Sequence, residues 1–231
     1  MEDHMNRINK FNTSWHIQKL CAVSVFCALA YICVFLIRFK VSFLTFDLKD
    51  AIMAIGAMYF GPITSVFMTA AVSLLEFWTI SDTGVYGLIM NFLSSFSFCL
   101  VSSLIYKFRK TFSGAIISLL SAILVMTAVM MLANLFVTPY YMGVTMGEVR
   151  KMIPTLLLPF NLIKATVNAC VVMVLYKPFS SALRTSGIIK KSDLATSAPT
   201  IKNRIVVILV SGCIFVASLL VLFLVMGASV E

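Results

Sequence analysis

Charge is scarce in this chain. Only 12% of its 231 residues are Asp, Glu, Lys or Arg, where a soluble domain carries about 25%. The apolar residues make up 61% of the sequence and the mean hydropathy is +1.02. One small soluble core could not conceal runs of that length, so composition excludes a soluble globular domain and indicates a polytopic membrane protein. Histidine is nearly missing. His4 and His16 both precede the first long apolar run, which argues against a His-based metal site. Of the six cysteines, Cys21, Cys27, Cys33, Cys99, Cys170 and Cys213, none forms a Cys-x-x-Cys pair and all lie in apolar runs. They read as small packing residues. The sequence has no G-x-x-x-x-G-K-[ST], H-E-x-x-H or G-x-S-x-G. It therefore holds no ATP through a P-loop and carries no zinc-peptidase or nucleophile-elbow signature. No two carboxylates stand at helical spacing in the middle of an apolar run, as a proton relay would need. If the chain transports, its energy comes from a partner, and it is read as no enzyme.

What is present is a succession of apolar segments long enough to span a bilayer, for which about 20 residues suffice. The first covers 17–37, and its core is too long for a signal-peptide h-region. The region 50–80 is divided by Gly61-Pro62, because Gly ends one helix and Pro starts the next. That gives a short helix at 50–60, packed within the bundle or tilted, and a second at 62–80. Others are expected at 85–106, 113–136 and 155–176. A polar stretch, 178–203, precedes a final uncharged run at 205–227. The expected architecture is an all-α membrane protein: a six-helix domain over 1–177, a cytoplasmic linker over 178–203 and an extra transmembrane helix over 204–231.

The net charge of +9 does not mark a nucleic-acid binder, because the basic residues lie between the apolar runs. Twelve Lys and Arg residues fall on one side and five on the other if the segments alternate, and the positive-inside rule then puts the N-terminus in the cytoplasm of a plasma-membrane protein. Lys164 falls inside a span. The acids Asp47, Asp50, Glu76, Asp82 and Glu148 gather toward the outer ends.

Within 155–176, Asn161, Lys164 and Asn168 recur at i, i+3 and i+7, one face of a helix. Lys164, about 7.5 Å inside that helix, could snorkel to headgroups. Two amides on its own face favour an interior direction, since polar groups rarely face lipid. Asn134, Glu76 and Asn91 fall at the same depth on neighbouring spans. Asp47 and Asp50 flank the start of the short helix. Phe46, Trp78, Tyr86, Tyr140 and Tyr141 surround them. Singly, these have structural readings: Asp50 and Asp82 as helix caps, Asn91 as interhelical glue, the Trp and Tyr residues as interface anchors. Together they describe a pocket opening outward, suited to a polar ligand with a flat ring.

The stretches "FLTFDLKDAIMAIGAMYFGP" at 43–62, "TGVYGLIMNFLSS" at 83–95, "ANLFVTPYY" at 133–141 and "PFNLIKA" at 159–165 resemble the substrate-binding S components of energy-coupling factor (ECF) vitamin transporters, most closely the riboflavin-specific ones. The resemblance implies a six-helix S-component fold with an outward-facing vitamin pocket, so the seventh run departs from the pattern. It implies ligand contacts from Asn134, Asn161 and Lys164, and a covering loop of Phe46, Asp47 and Leu48. Glu76, Tyr86, Asn91 and Tyr140 complete the expected site. The resemblance also implies no cofactor beyond riboflavin as cargo, and partnership with a membrane coupling protein and two ATP-binding subunits. The coupling protein would dock on small residues spaced four apart in the first helix, here Ser24 and Ala28. Other readings are an S component for pantothenate or folate, or a small integral-membrane enzyme or assembly factor using Glu76, Asp82 or Lys164.

Overall fold

A computed structural model describes residues 2–186, with side chains placed from residue 16 onward. The chain order is α1 (Glu2–Leu36), a hairpin of β1 (Arg38–Val41) and β2 (Leu44–Asp47), α2 (Lys49–Phe60), α3 (Pro62–Thr79), α4 (Gly84–Phe108), α5 (Phe112–Met142), α6 (Met146–Met152), a π-helical turn (Ile153–Leu157) and α7 (Leu158–Thr185). Five helical stretches, His16–Leu36, Pro62–Thr79, Gly84–Phe108, Phe112–Met142 and Met146–Thr185, are long and apolar enough to cross a membrane.

The short helix α2 is the centre of the bundle. At 1.5 Å per residue it is about 18 Å long, too short to cross upright. It packs instead against α1, α3, α4 and α7. Ala51, Met53, Ala54, Ile55 and Ala57 are fully enclosed, in a core shared with Phe26, Met68, Phe98 and Met126. The outward faces of the long helices are apolar in the opposite sense: Leu20, Phe35, Ile63, Phe67, Trp78, Leu124 and Phe136 are all exposed, as a lipid-facing belt requires. The split at Gly61-Pro62 is realised by Gly61 at φ 98, the left-handed region glycine tolerates, with Pro62 opening α3.

Three local expectations are corrected. The segment before α2 is a β-hairpin, not a loop, joined through a two-residue turn in which Ser42 adopts φ 56. The fifth helix continues past 136 through Pro139 to Met142. The sixth begins at Met146, under a capping box of Thr145 and Glu148, passes through the π turn and runs to Thr185. Residues 178–185 of the expected polar linker are therefore helical. The rest of that linker and the run at 205–227 lie outside the described residues.

Candidate functional site

One end of the bundle collects the ends and starts of several elements: the hairpin, the start of α4, the end of α5 and the start of α7. Between them lies a cleft lined by polar residues from each, including Arg38 and Thr45 of the hairpin, Asn91 and Ser94 of α4, Asn134 and Thr138 of α5, and Asn161 and Lys164 of α7. Its apolar lining comes from Phe43, Leu44, Tyr86, Met90, Met130, Val137, Tyr141 and Phe160.

The side chain of Lys164 settles the direction left open by the sequence. It is 3% exposed, and its ammonium donates to Asp47 Oδ2 at 2.9 Å and to the Thr45 carbonyl at 3.2 Å. It turns inward and ties α7 to β2. One turn deeper, Asn168 repeats the link. Its Nδ2 donates to the Asp47 carbonyl at 3.1 Å and its Oδ1 accepts from the Ala51 amide at 2.9 Å. Asn161 points its Nδ2 back to the Leu157 carbonyl at 2.8 Å, which leaves its Oδ1 without a partner among the described residues. Asn134 Nδ2 donates to the Met130 carbonyl at 2.8 Å, and its Oδ1 accepts from Thr138 at 2.9 Å. The π turn directly before Pro159 and Asn161 sets the phase of this face, and π turns recur where helices carry sites.

Asp47 is 1% exposed and held by two cations, Lys164 at 2.9 Å and Lys49 at 3.8 Å. Burial alone would raise its pKa. The charges of Lys164 and then Lys49 outweigh that and hold it below the usual carboxylate range. Lys49, 1% exposed, makes its shorter contact with Glu76 Oε2 at 2.7 Å. Asn91 Nδ2 donates to the same Oε2 at 3.2 Å. Asp50 Oδ1 accepts from Ser95 at 2.5 Å. Asp50 is thus a buried interhelical acceptor and not a cap, since Leu48 holds the cap position of α2. Asp82 also does not cap a helix. It pairs with Lys40 at 2.5 Å in water, and that hydrogen bond lowers its pKa.

The expected site residues divide in two. Asn134, Asn161, Lys164, Tyr86 and Asn91 line the cleft. Phe46, Asp47 and Glu76 are buried behind it, and Leu48 is partly buried. Phe46 stacks on Phe39 across the hairpin at 4.7 Å and meets Phe160 edge-on, so it anchors the hairpin instead of offering a face to a ligand. Tyr140 lies outside the cleft and is 78% exposed, and Tyr141 takes the place expected of it. Arg38, Ser94, Thr138 and Lys49 were not anticipated. Lys49 was legible only as a cation between two acids in "DLKD" at 47–50. Ser24 and Ala28 both lie on an exposed face of α1.

A membrane-embedded helical bundle with a polar, amide-rich cleft closed by a hairpin is a binding protein for a small polar molecule. The sequence profile of the substrate-specific component of ECF transporters matches residues 18–176, and the chain belongs to that family, a multi-pass membrane protein and not an enzyme. It is 28% identical over 190 residues to the riboflavin transporter RibU of Staphylococcus aureus (strain TCH60), covering 78% of this chain and 99% of that protein. It also superimposes on a solved S component of a bacterial ECF transporter with a TM-score of 0.63, at 28% identity, over 73% of this chain and 99% of the other.

Proposed function

We infer that this chain is a riboflavin-binding S component that captures the vitamin at the outer face of the plasma membrane for uptake driven by partner subunits. The observation that carries the reading is the convergence of Asn134, Asn161 and Lys164 on one cleft beneath the hairpin. The relative named as a riboflavin transporter supports the choice of vitamin. The charge state fits too. Asp47 compensates the Lys164 ammonium, so the amide wall of the cleft offers donors and acceptors without asking for an anion, and the cation that remains in the lining is Arg38 of the hairpin. Riboflavin is a neutral ring system with carbonyls and hydroxyls. Met90, Met130 and Tyr86 supply surfaces for the ring faces.

The N-terminus lies in the cytoplasm in this reading, and the cleft opens outward. A membrane coupling protein docks on α1 at Ser24 and Ala28, where small side chains permit close helix approach, and two ATP-binding subunits drive transport. The six-helix S-component domain extends to the end of α7 at Thr185. The test is titration of purified protein with riboflavin in the absence of ATP, followed by quenching of flavin fluorescence. Saturable one-to-one binding, absent with pantothenate and folate, is expected. Protein that leaves flavin fluorescence unchanged at all concentrations overturns the reading.

A further inference from the structure

The cleft has further polar lining besides the amides of α5 and α7. Part of it is built by Asn91 and Ser94, three residues apart and so one turn apart on α4. The Asn91 amide has a defined direction. Its Nδ2 donates to Glu76 Oε2, which also takes the Lys49 ammonium at 2.7 Å. A carboxylate only accepts hydrogen bonds, so the amide must give Glu76 its N–H and keep its oxygen on the other side. Asn91 Oδ1 has no partner among the described residues. Ser94 is 3% exposed, lines the cleft, and its Oγ is buried without a partner among the described residues. A buried hydroxyl left unpaired costs about 1–3 kcal/mol, and a ligand in the cleft would relieve that cost.

We propose that the Asn91 oxygen and the Ser94 hydroxyl form an acceptor edge that reads a ring N–H of the ligand, and that the buried Lys49–Glu76 pair is the positioning element that keeps the Asn91 oxygen facing the cleft. This rests on the riboflavin reading. Oxidised riboflavin has one ring N–H, the imide nitrogen between two carbonyls, and that is the donor the edge would select. The ribityl hydroxyls both donate and accept, so an edge that reads them would not depend on which way the Asn91 amide points.

The experiment titrates riboflavin and 3-methylriboflavin, whose imide nitrogen carries a methyl group in place of hydrogen, against the full-chain protein and three variants. The parent is expected to prefer riboflavin by about tenfold or more, because methylation leaves a buried acceptor unpaired. Glu76→Met removes the one oxygen that takes both the Lys49 ammonium and the Asn91 N–H, so the amide can turn over. That variant should reduce the preference to about threefold or less. Asn91→Ala should reduce it equally, and it carries the same readout if Glu76→Met does not fold. Ser94→Ala should weaken riboflavin about three- to tenfold while the ligand-free protein melts like the parent. A parent that binds both flavins alike overturns the assignment, and so does an Asn91→Ala variant that keeps the full preference. A Ser94→Ala variant with parental affinity removes the hydroxyl from the edge. A parent that binds neither flavin overturns the riboflavin reading instead, so the two failures are distinct.

Discussion

Replacing Lys164 with Met tests the hairpin closure and the binding face together. Met matches the aliphatic stem of the side chain and removes the ammonium. Asp47 then stays 1% exposed with Lys49 at 3.8 Å as its nearest cation, and its Oδ1 already has no partner among the described residues. Breaking one side of a buried ion pair costs about 3–5 kcal/mol. Global unfolding need not absorb that cost. The hairpin can swing out and rehydrate Asp47, opposed by the Phe46 cluster and by the Arg38 bond to the Ile80 carbonyl at 2.6 Å. If ligand binding requires the hairpin closed, a shift of about 3 kcal/mol weakens apparent affinity on the order of a hundredfold. Adding Asp47→Asn removes the stranded charge. The double variant should recover most of the lost thermal stability, with a coupling of about 2 kcal/mol or more in the double-mutant cycle. Its affinity should recover only in part, because the ammonium is also part of the cleft wall. Thermal melts of ligand-free protein and flavin fluorescence titrations on all four proteins give both quantities. A Lys164→Met protein that melts like the parent, or an Asp47→Asn change that relieves nothing, refutes the argument.

The remaining predictions concern pH and the core. Asp47 has a lowered pKa in the folded state, so its contribution to stability is full above its unfolded value of about 3.9 and is lost as pH falls through the lower folded value. The parent should lose stability on acidification below about pH 4, and Asp47→Asn should flatten that limb of a melting-temperature profile. Tyr106 and Tyr176 share a hydrogen bond of 2.6 Å between their hydroxyls, at the end of the bundle away from the cleft. Tyr106→Phe should cost about 1 kcal/mol in chemical denaturation with flavin affinity unchanged. At Gly56, an added Cβ would sit 2.8 Å from Met68 Cε and 3.1 Å from Phe26. Met68 Cε can move, Phe26 is the stiffer neighbour, and Ala regains about 1 kcal/mol over Gly inside a helix, so Gly56→Ala should lower the melting temperature by an amount equivalent to about 1 kcal/mol.

Much of the frame was legible because the bilayer imposes it. Apolar runs of spanning length, and the Gly61-Pro62 break, mark helices whatever the tertiary contacts. The spacing of Asn161, Lys164 and Asn168 revealed a polar face because three costly residues on one helical stripe need a common explanation. The hairpin was illegible for a physical reason: its strands are four residues each, and its tight turn uses Ser42 at a positive φ, where Gly or Asn is the usual signal. Tyr140 and Tyr141 could not be told apart with the helix expected to end at 136, before both of them. With α5 continuous to Met142, Asn134, Thr138 and Tyr141 fall on one face at i, i+4 and i+7, and Tyr140 points away. The partner of Lys49 could not be read at all, since its contact with Glu76 joins two helices across 27 residues of sequence.

The most direct measurement is a structure of the purified protein with riboflavin bound. The account predicts the flavin in the cleft beneath the hairpin, with polar atoms of Asn134, Asn161 and Lys164 within hydrogen-bonding distance of it. Flavin bound elsewhere on the bundle, or a cleft that stays empty while those three side chains keep only their protein partners, would contradict it.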